Sequence, residues 1–160
     1  MPAKSSDAEW MEVALQLAHQ GANATGGGPF GAIIVKEGKI IGRGYNQVTS
    51  KNDPTAHAEI VAIREACHFL QAFHLDDCQI YCSCEPCPMC LGAIYWSRLS
   101  TVYYAANRQD AAAAGFDDQR IYTELCGPSS QRSIKNLCLY PTSGQRVFDT
   151  WKNNPNKIPY

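Results

Sequence analysis

The chain has no run of basic residues, no long apolar stretch and almost no imbalance of charge. Fourteen Lys and Arg against fifteen Asp and Glu give a net charge of −1 and a pI near 6.4. Proteins that grip a polyphosphate backbone cluster their cations. Scattered ones argue against a nucleic-acid partner and for a small uncharged substrate. No apolar run approaches the roughly eighteen residues of a membrane span. The opening Met1-Pro2-Ala3-Lys4-Ser5-Ser6-Asp7 lacks the apolar core of a secretory leader. Cysteine, by contrast, is plentiful, with eight in 160 residues. In a chain expected to be cytoplasmic, Cys-x-x-Cys is more often metal-binding or catalytic than a disulfide. Length, 45% hydrophobic content and 18% charge describe one ordinary globular domain, residues 1–160.

The periodicities place the elements. Trp10, Val13, Ala14, Leu17 and Ala18 recur at helical spacing after a possible capping box, Ser6-x-x-Glu9, and predict a helix to about Ala22. Gly26, Gly27, Gly28 and Gly31 satisfy Gly-x-Gly-x-x-Gly only formally. They precede a strand where a dinucleotide fingerprint follows one, so a flexible turn is the better account. Phe30 to Lys36 and Lys39 to Tyr45 form a hairpin around Glu37-Gly38. A helix follows Glu59, a strand runs from Asp77 to Ser83, a helix from Pro88 to Arg98 and a strand from Thr101 to Ala105. Ser143 to Asn153 is a last amphipathic helix before the aromatic tail Pro155 to Tyr160. Helices alternating with strands after one hairpin imply an α/β fold, a three-layer α/β/α sandwich around a mixed five-stranded sheet. Cys67, Cys78, Cys126 and Cys138 read as small core hydrophobes.

Two short stretches carry the chemistry: Thr55-Ala56-His57-Ala58-Glu59 and Ser83-Cys84-Glu85-Pro86-Cys87-Pro88-Met89-Cys90. His57, Cys87 and Cys90 are three nitrogen and sulfur donors, the set with which a catalytic Zn²⁺ site keeps a fourth corner for water. Cys87 and Cys90 sit three apart at a proline-marked helix start, on one face and near amides that favour thiolate. Glu59 is then the proton carrier. Residues two apart on a regular helix diverge, so His57 and Glu59 meet one ion only if His57 stands at the helix boundary. Cys84-x-x-Cys87-x-x-Cys90 also resembles part of an iron–sulfur run, but the fourth thiolate is missing and His57-x-Glu59 is left unexplained. A non-catalytic zinc or iron–sulfur module is therefore the distant alternative. His19 reads as a helix-terminal or surface residue, and His68 and His74, with no metal-spaced partner, as surface or packing residues.

His-x-Glu followed by Pro-Cys-x-x-Cys is the signature of zinc nucleobase deaminases. The chain resembles the cytidine deaminase superfamily. Within it, Gly28-Pro29-Phe30-Gly31, Asn52 to Glu59, Ser83 to Trp96 and Ala114-Gly115-Phe116-Asp117-Asp118 look most like the small bacterial guanine deaminases. That resemblance implies hydrolysis of guanine to xanthine and ammonia, one zinc per subunit and substrate contacts from Phe30, Asn46, Ala58, Trp96, Asp118 and Tyr160. It also implies a homodimer whose C-terminal tail, 155–160, crosses to close the partner's pocket. Read from residues alone, Phe30 and Trp96 are equally core aromatics, Asn46 a turn former and Asp118 a solvated acid. The same chemistry on guanosine, cytosine or transfer-RNA adenosine is the alternative.

Overall fold

The structure is a computed structural model and describes residues 5–25 and 27–160. The expected turn at Gly26 lies outside the described residues, and Gly27 and Gly28 are irregular as expected. The chain divides into two compact units, Met1–Asp118 and Gln119–Tyr160.

The first unit contains α1 (Ser5–Thr25), β1 (Gly31–Lys36), β2 (Lys39–Tyr45), α2 (Val48–Lys51), α3 (Ala58–Leu70), β3 (Gln79–Cys84), α4 (Pro88–Trp96), β4 (Thr101–Ala106) and α5 (Arg108–Ala113). The strands form one mixed sheet in the order β2-β1-β3-β4. β1 pairs antiparallel with β2 and β3, and β3 runs parallel to β4. The helix α1 starts at Ser5, so Ser6 lies inside it and not at the cap. The predicted helical face holds: Ala14 and Ala18 are buried, and Trp10, Val13 and Leu17 pack beside them.

Alternation along the strands builds the layers. Ile33 and Val35 of β1, with Tyr81 of β3, face α1; Ala32, Ile34, Ile80 and Cys82 point the other way, toward α3 and Ile94 of α4. Period two separates the two cores because successive Cβ atoms leave opposite faces of a pleated strand. On the α1 side Tyr81 is fixed twice. Its hydroxyl donates to Asp7 Oδ1 at 2.8 Å, and its ring stacks on Tyr103 at 4.6 Å.

On the other side, α3 lies almost directly on β2. Ala58, Ala62 and Ala66, one helical turn apart, are fully buried against Gly42 and Gly44. A Cβ on Gly44 would overlap the Ala58 carbonyl oxygen and stand 2.8 Å from Ala62 N. Two bare Cα atoms thus set the distance between helix and sheet.

Five strands are expected from the alternation, and the described residues form four. The residues themselves located only these four. The next apolar stretch, 134–140, pairs with no strand and so is not one. The second unit consists of α6 (Gln119–Cys126), a short 3-10 turn (Ser129–Gln131) and α7 (Pro141–Lys152). None of its residues is buried. Cys126 and Cys138 are accordingly exposed, contrary to expectation, whereas Cys78 is buried and Cys67 half-buried; all eight cysteines are free thiols. Among the described residues no helix is long and apolar enough to cross a membrane.

Candidate metal centre

Topology brings the ends of β2, β3 and β4 to one side of the sheet. β2 and β3 each run antiparallel to β1, and β4 runs parallel to β3. Open α/β sheets bind ligands beyond the carboxyl ends of their strands. Here the chain leaving β3 enters α4, and the loop leaving β2 returns into α3, so two helix N-termini converge on that side.

His57 is the N-cap of α3, with extended backbone angles φ −67° and ψ 157°. This is the boundary position that allows His57 and Glu59 to serve one ion. Cys87 is the N-cap of α4, Pro88 opens the helix and Cys90 follows in its first turn. His57 Nδ1 lies 3.6 Å from Cys87 Sγ and 3.5 Å from Cys90 Sγ. A tetrahedral ion with Zn–S of about 2.3 Å and Zn–N of about 2.0–2.1 Å holds nitrogen and sulfur donors about 3.5–3.6 Å apart. Both nitrogen–sulfur distances therefore match what zinc requires, and all three ligand atoms lie within 4.8 Å of one another. Among the described residues they form the one such His/Cys/Asp/Glu group, and no four-thiolate cluster exists. Cys84 stands outside it. Its thiol donates to Asn107 O, and burial pushes it up to about 11, so it stays protonated.

The electrostatics also suit a cation. The hydrogen bond from the Cys90 thiol, followed by His57, lowers Cys87 to about 4. The same bond, with burial, holds the Cys90 proton firmly in the metal-free site. The bond to Cys87 raises His57. A dication held here would have to displace the Cys90 proton, because metal ligands bind deprotonated. Glu59, only 8% exposed, is raised chiefly by burial, so it can hold a proton where an ordinary glutamate would not.

The loop ahead of His57 is locked by backbone and side chain. Asp53 Oδ1 accepts from Thr55 N at 2.8 Å and from Thr55 Oγ1 at 2.7 Å, and the Gln47 and Ala56 amides close the turn onto Ala56 O and Asp53 O. Asn46 is buried at the end of β2. Its N–H donates to Phe30 O at 3.0 Å, and its Oδ1 accepts from Val48 N at 3.2 Å, which orients the amide. Phe30 is half-buried at the edge of the core and meets Phe116 edge-on, with centroids 4.9 Å apart and planes at 85°. Phe116 had no assigned role in the sequence; only its place before the paired acids marked it. The side chain of Ala58 is core, leaving its backbone amide as what the residue can offer a ligand. Asp118 is half-buried and raised by that burial and then by the Cys87 thiolate.

Two further residues expected to touch substrate, Trp96 and Tyr160, are exposed. Trp96 is 71% exposed, six residues and so about 9 Å along α4 from Cys90. Tyr160 ends the second unit, 77% exposed.

Residues 4–106 match the cytidine and deoxycytidylate deaminase zinc-binding region. The chain is 54% identical over 151 residues to the guanine deaminase of Bacillus subtilis (strain 168), covering 94% of this chain and 97% of that one. The X-ray structure of guanine deaminase from Bacillus subtilis superposes with a TM-score of 0.93 at 54% identity, over 96% of this chain and 98% of that one. The tRNA-specific adenosine deaminase of Aquifex aeolicus is 46% identical over 97 residues, 61% of this chain and 64% of its own length.

Proposed function

Because the chain belongs to the zinc-binding cytidine and deoxycytidylate deaminase family, we propose that it hydrolyses guanine to xanthine and ammonia at the His57–Cys87–Cys90 centre. One observation carries the choice of substrate. Likeness to a guanine deaminase spans 94% of the chain, whereas likeness to the Aquifex tRNA enzyme stops at 61%. A net charge of −1 fits a free base better than an RNA.

His57, Cys87 and Cys90 hold the ion, which when bound acts as a Lewis acid and brings the pKa of a coordinated water toward neutrality. Glu59 does the proton work. It takes one proton from the attacking water and passes it to the ring nitrogen beside the amino-bearing carbon, then takes the remaining hydroxyl proton and gives it to the amine, which leaves as ammonia. Its burial serves this, since a proton carrier works best with a pKa near the operating pH. Phe30 and Phe116 wall the flat ring, the Asn46 amide reads its edge, the Ala58 amide lies at the first turn of α3, and Asp118 accepts ring N–H bonds. The purified, zinc-loaded protein given guanine, guanosine, cytosine, adenine or tRNA should release ammonia fastest from guanine. Preference for another substrate would retire the base assignment, and iron in place of one zinc per chain would retire the chemistry.

The reading includes a homodimer in a reducing, cytoplasmic setting, for which eight free thiols speak. Forty-two residues, 119–160, without one buried side chain cannot hold themselves folded. Leu137, Leu139, Tyr140, Val147 and Phe148 are all largely exposed, as are Tyr95 and Trp96 on α4. A second copy covers these surfaces, its segment 134–140 adding the fifth strand beside the open edge of β4. The partner's Tyr160 closes the pocket near Trp96. Co-expressing a Glu59→Gln chain with a chain ending at residue 154 tests this. Each alone should be nearly inactive, and the mixture should recover activity, because the intact Glu59 then meets an intact tail. No recovery would overturn the exchange.

A further inference from the structure

Four backbone N–H groups at the start of α5, those of residues 107–110, each have an assigned acceptor, and one comes from far away. Asn107 Oδ1 accepts from Gln109 N at 2.8 Å and Asp110 N at 3.0 Å, while Asp110 Oδ2 accepts from Asn107 N at 2.9 Å. These three bonds are the helix's own cap, two of them forming a capping box. The fourth group, Arg108 N, donates to Glu85 Oε2 at 3.1 Å, a carboxylate 23 residues upstream. Glu85 stands two residues before Cys87, and its own N–H donates to Ala106 O at 2.9 Å, at the end of β4. Backbone and side chain of one residue thus clamp the metal-binding loop to both sides of the β4–α5 junction.

The far end of α5 delivers substrate-facing groups. Phe116 N donates to Ala111 O at 2.9 Å through a turn in which Gly115 has φ +95°, a conformation that favours glycine. That turn aims the Phe116 ring at Phe30 and sets up Asp118 two residues on.

We infer that Glu85 is a positioning residue for base binding: it fixes the Phe116–Asp118 arm at a set distance from the metal loop. The arm reaches the site through a six-residue helix, too short to hold its place by itself. Cys87, by contrast, is held by α4 and, when loaded, by the ion. Losing the Glu85 carboxylate therefore frees the arm and leaves the metal in place. The inference rests on the guanine reading for what the arm touches, so its test needs a readout that does not depend on turnover.

In zinc-loaded, full-length protein, Glu85→Ala should raise KM for guanine about tenfold or more, the scale of one lost hydrogen bond to a charged acceptor. The accompanying change in kcat should be smaller, and zinc should stay at one per chain. Amide hydrogen exchange across residues 107–116 should quicken by a similar factor, with residues 57–66 unchanged. Glu85→Gln keeps an oxygen acceptor and should restore most of both effects. Unaltered exchange at 107–116 overturns the inference, as does an effect confined to kcat or to zinc content. Should the wild-type protein prove inert toward guanine, faster exchange at 107–116 with steady zinc still supports the clamp, and only the substrate reading falls.

Discussion

Replacing Glu59 by Gln should lower kcat by about 10²–10⁴-fold, the usual worth of a placed proton carrier, while one zinc per chain remains. The amide matches the carboxylate in shape and cannot ferry protons. The metal donors belong to other residues, so loading is untouched. Glu59 is buried and its carboxyl is raised above the ordinary glutamate value, chiefly by that burial. Between those two values the native metal-free state binds more protons than the unfolded one, so stability falls as pH rises through that window. The Gln variant should lack this slope and melt no lower than the parent at pH 8. Activity within a few-fold of wild type, measured as ammonia released, would remove Glu59 from the mechanism.

Gly44→Ala should be nearly as damaging, though Gly44 touches no substrate. The added methyl collides with the backbone of α3 at Ala58 and Ala62, where no side chain can swing away. Overpacking typically costs about 1–3 kcal/mol, and a clash with main chain belongs at the upper end. In a chain of this length, about 3 kcal/mol lowers Tm by roughly 6–12 °C. The distinctive outcome concerns the metal. Ala58 follows His57 directly, so the helix can yield only by shifting a ligand and the proton carrier together. Zinc affinity and kcat should fall in parallel with Tm. Full zinc occupancy and wild-type turnover in a folded Gly44→Ala protein would show that the Gly–Ala seam does not position the site.

The metal donors were legible because their spacing is local chemistry. A His-x-Glu at a helix boundary and two sulfurs one turn apart need no knowledge of distant contacts, and the structure brings all three ligand atoms within 4.8 Å of one another. Gly31 was placed in the first strand, where it lies, but nothing in the sequence showed that its bare Cα admits the backbone of α1 at Ala14 and Ala18. Periodicity cannot distinguish a glycine that bends from one that makes room. Glu85 looked like any loop acid, since a carboxylate reads the same whether it faces water or caps a helix 23 residues on. The apolar face of α7 was equally visible as a pattern. The expected fifth strand has no counterpart among the described residues, which form four.

Both helices that aim at the centre begin on a residue committed to ligation. His57 and Cys87 hold the N-cap positions of α3 and α4, and neither makes the side-chain bond a cap normally makes. Ser, Asp or Asn there is worth about 1 kcal/mol per helix. The ion is thus also the clasp of two helix starts. Chelation should let the first turns at 57–61 and 87–91 fray before the sheet melts, opening them to proteases. Loss of competence and exposure to degradation would then follow from the departure of a single atom.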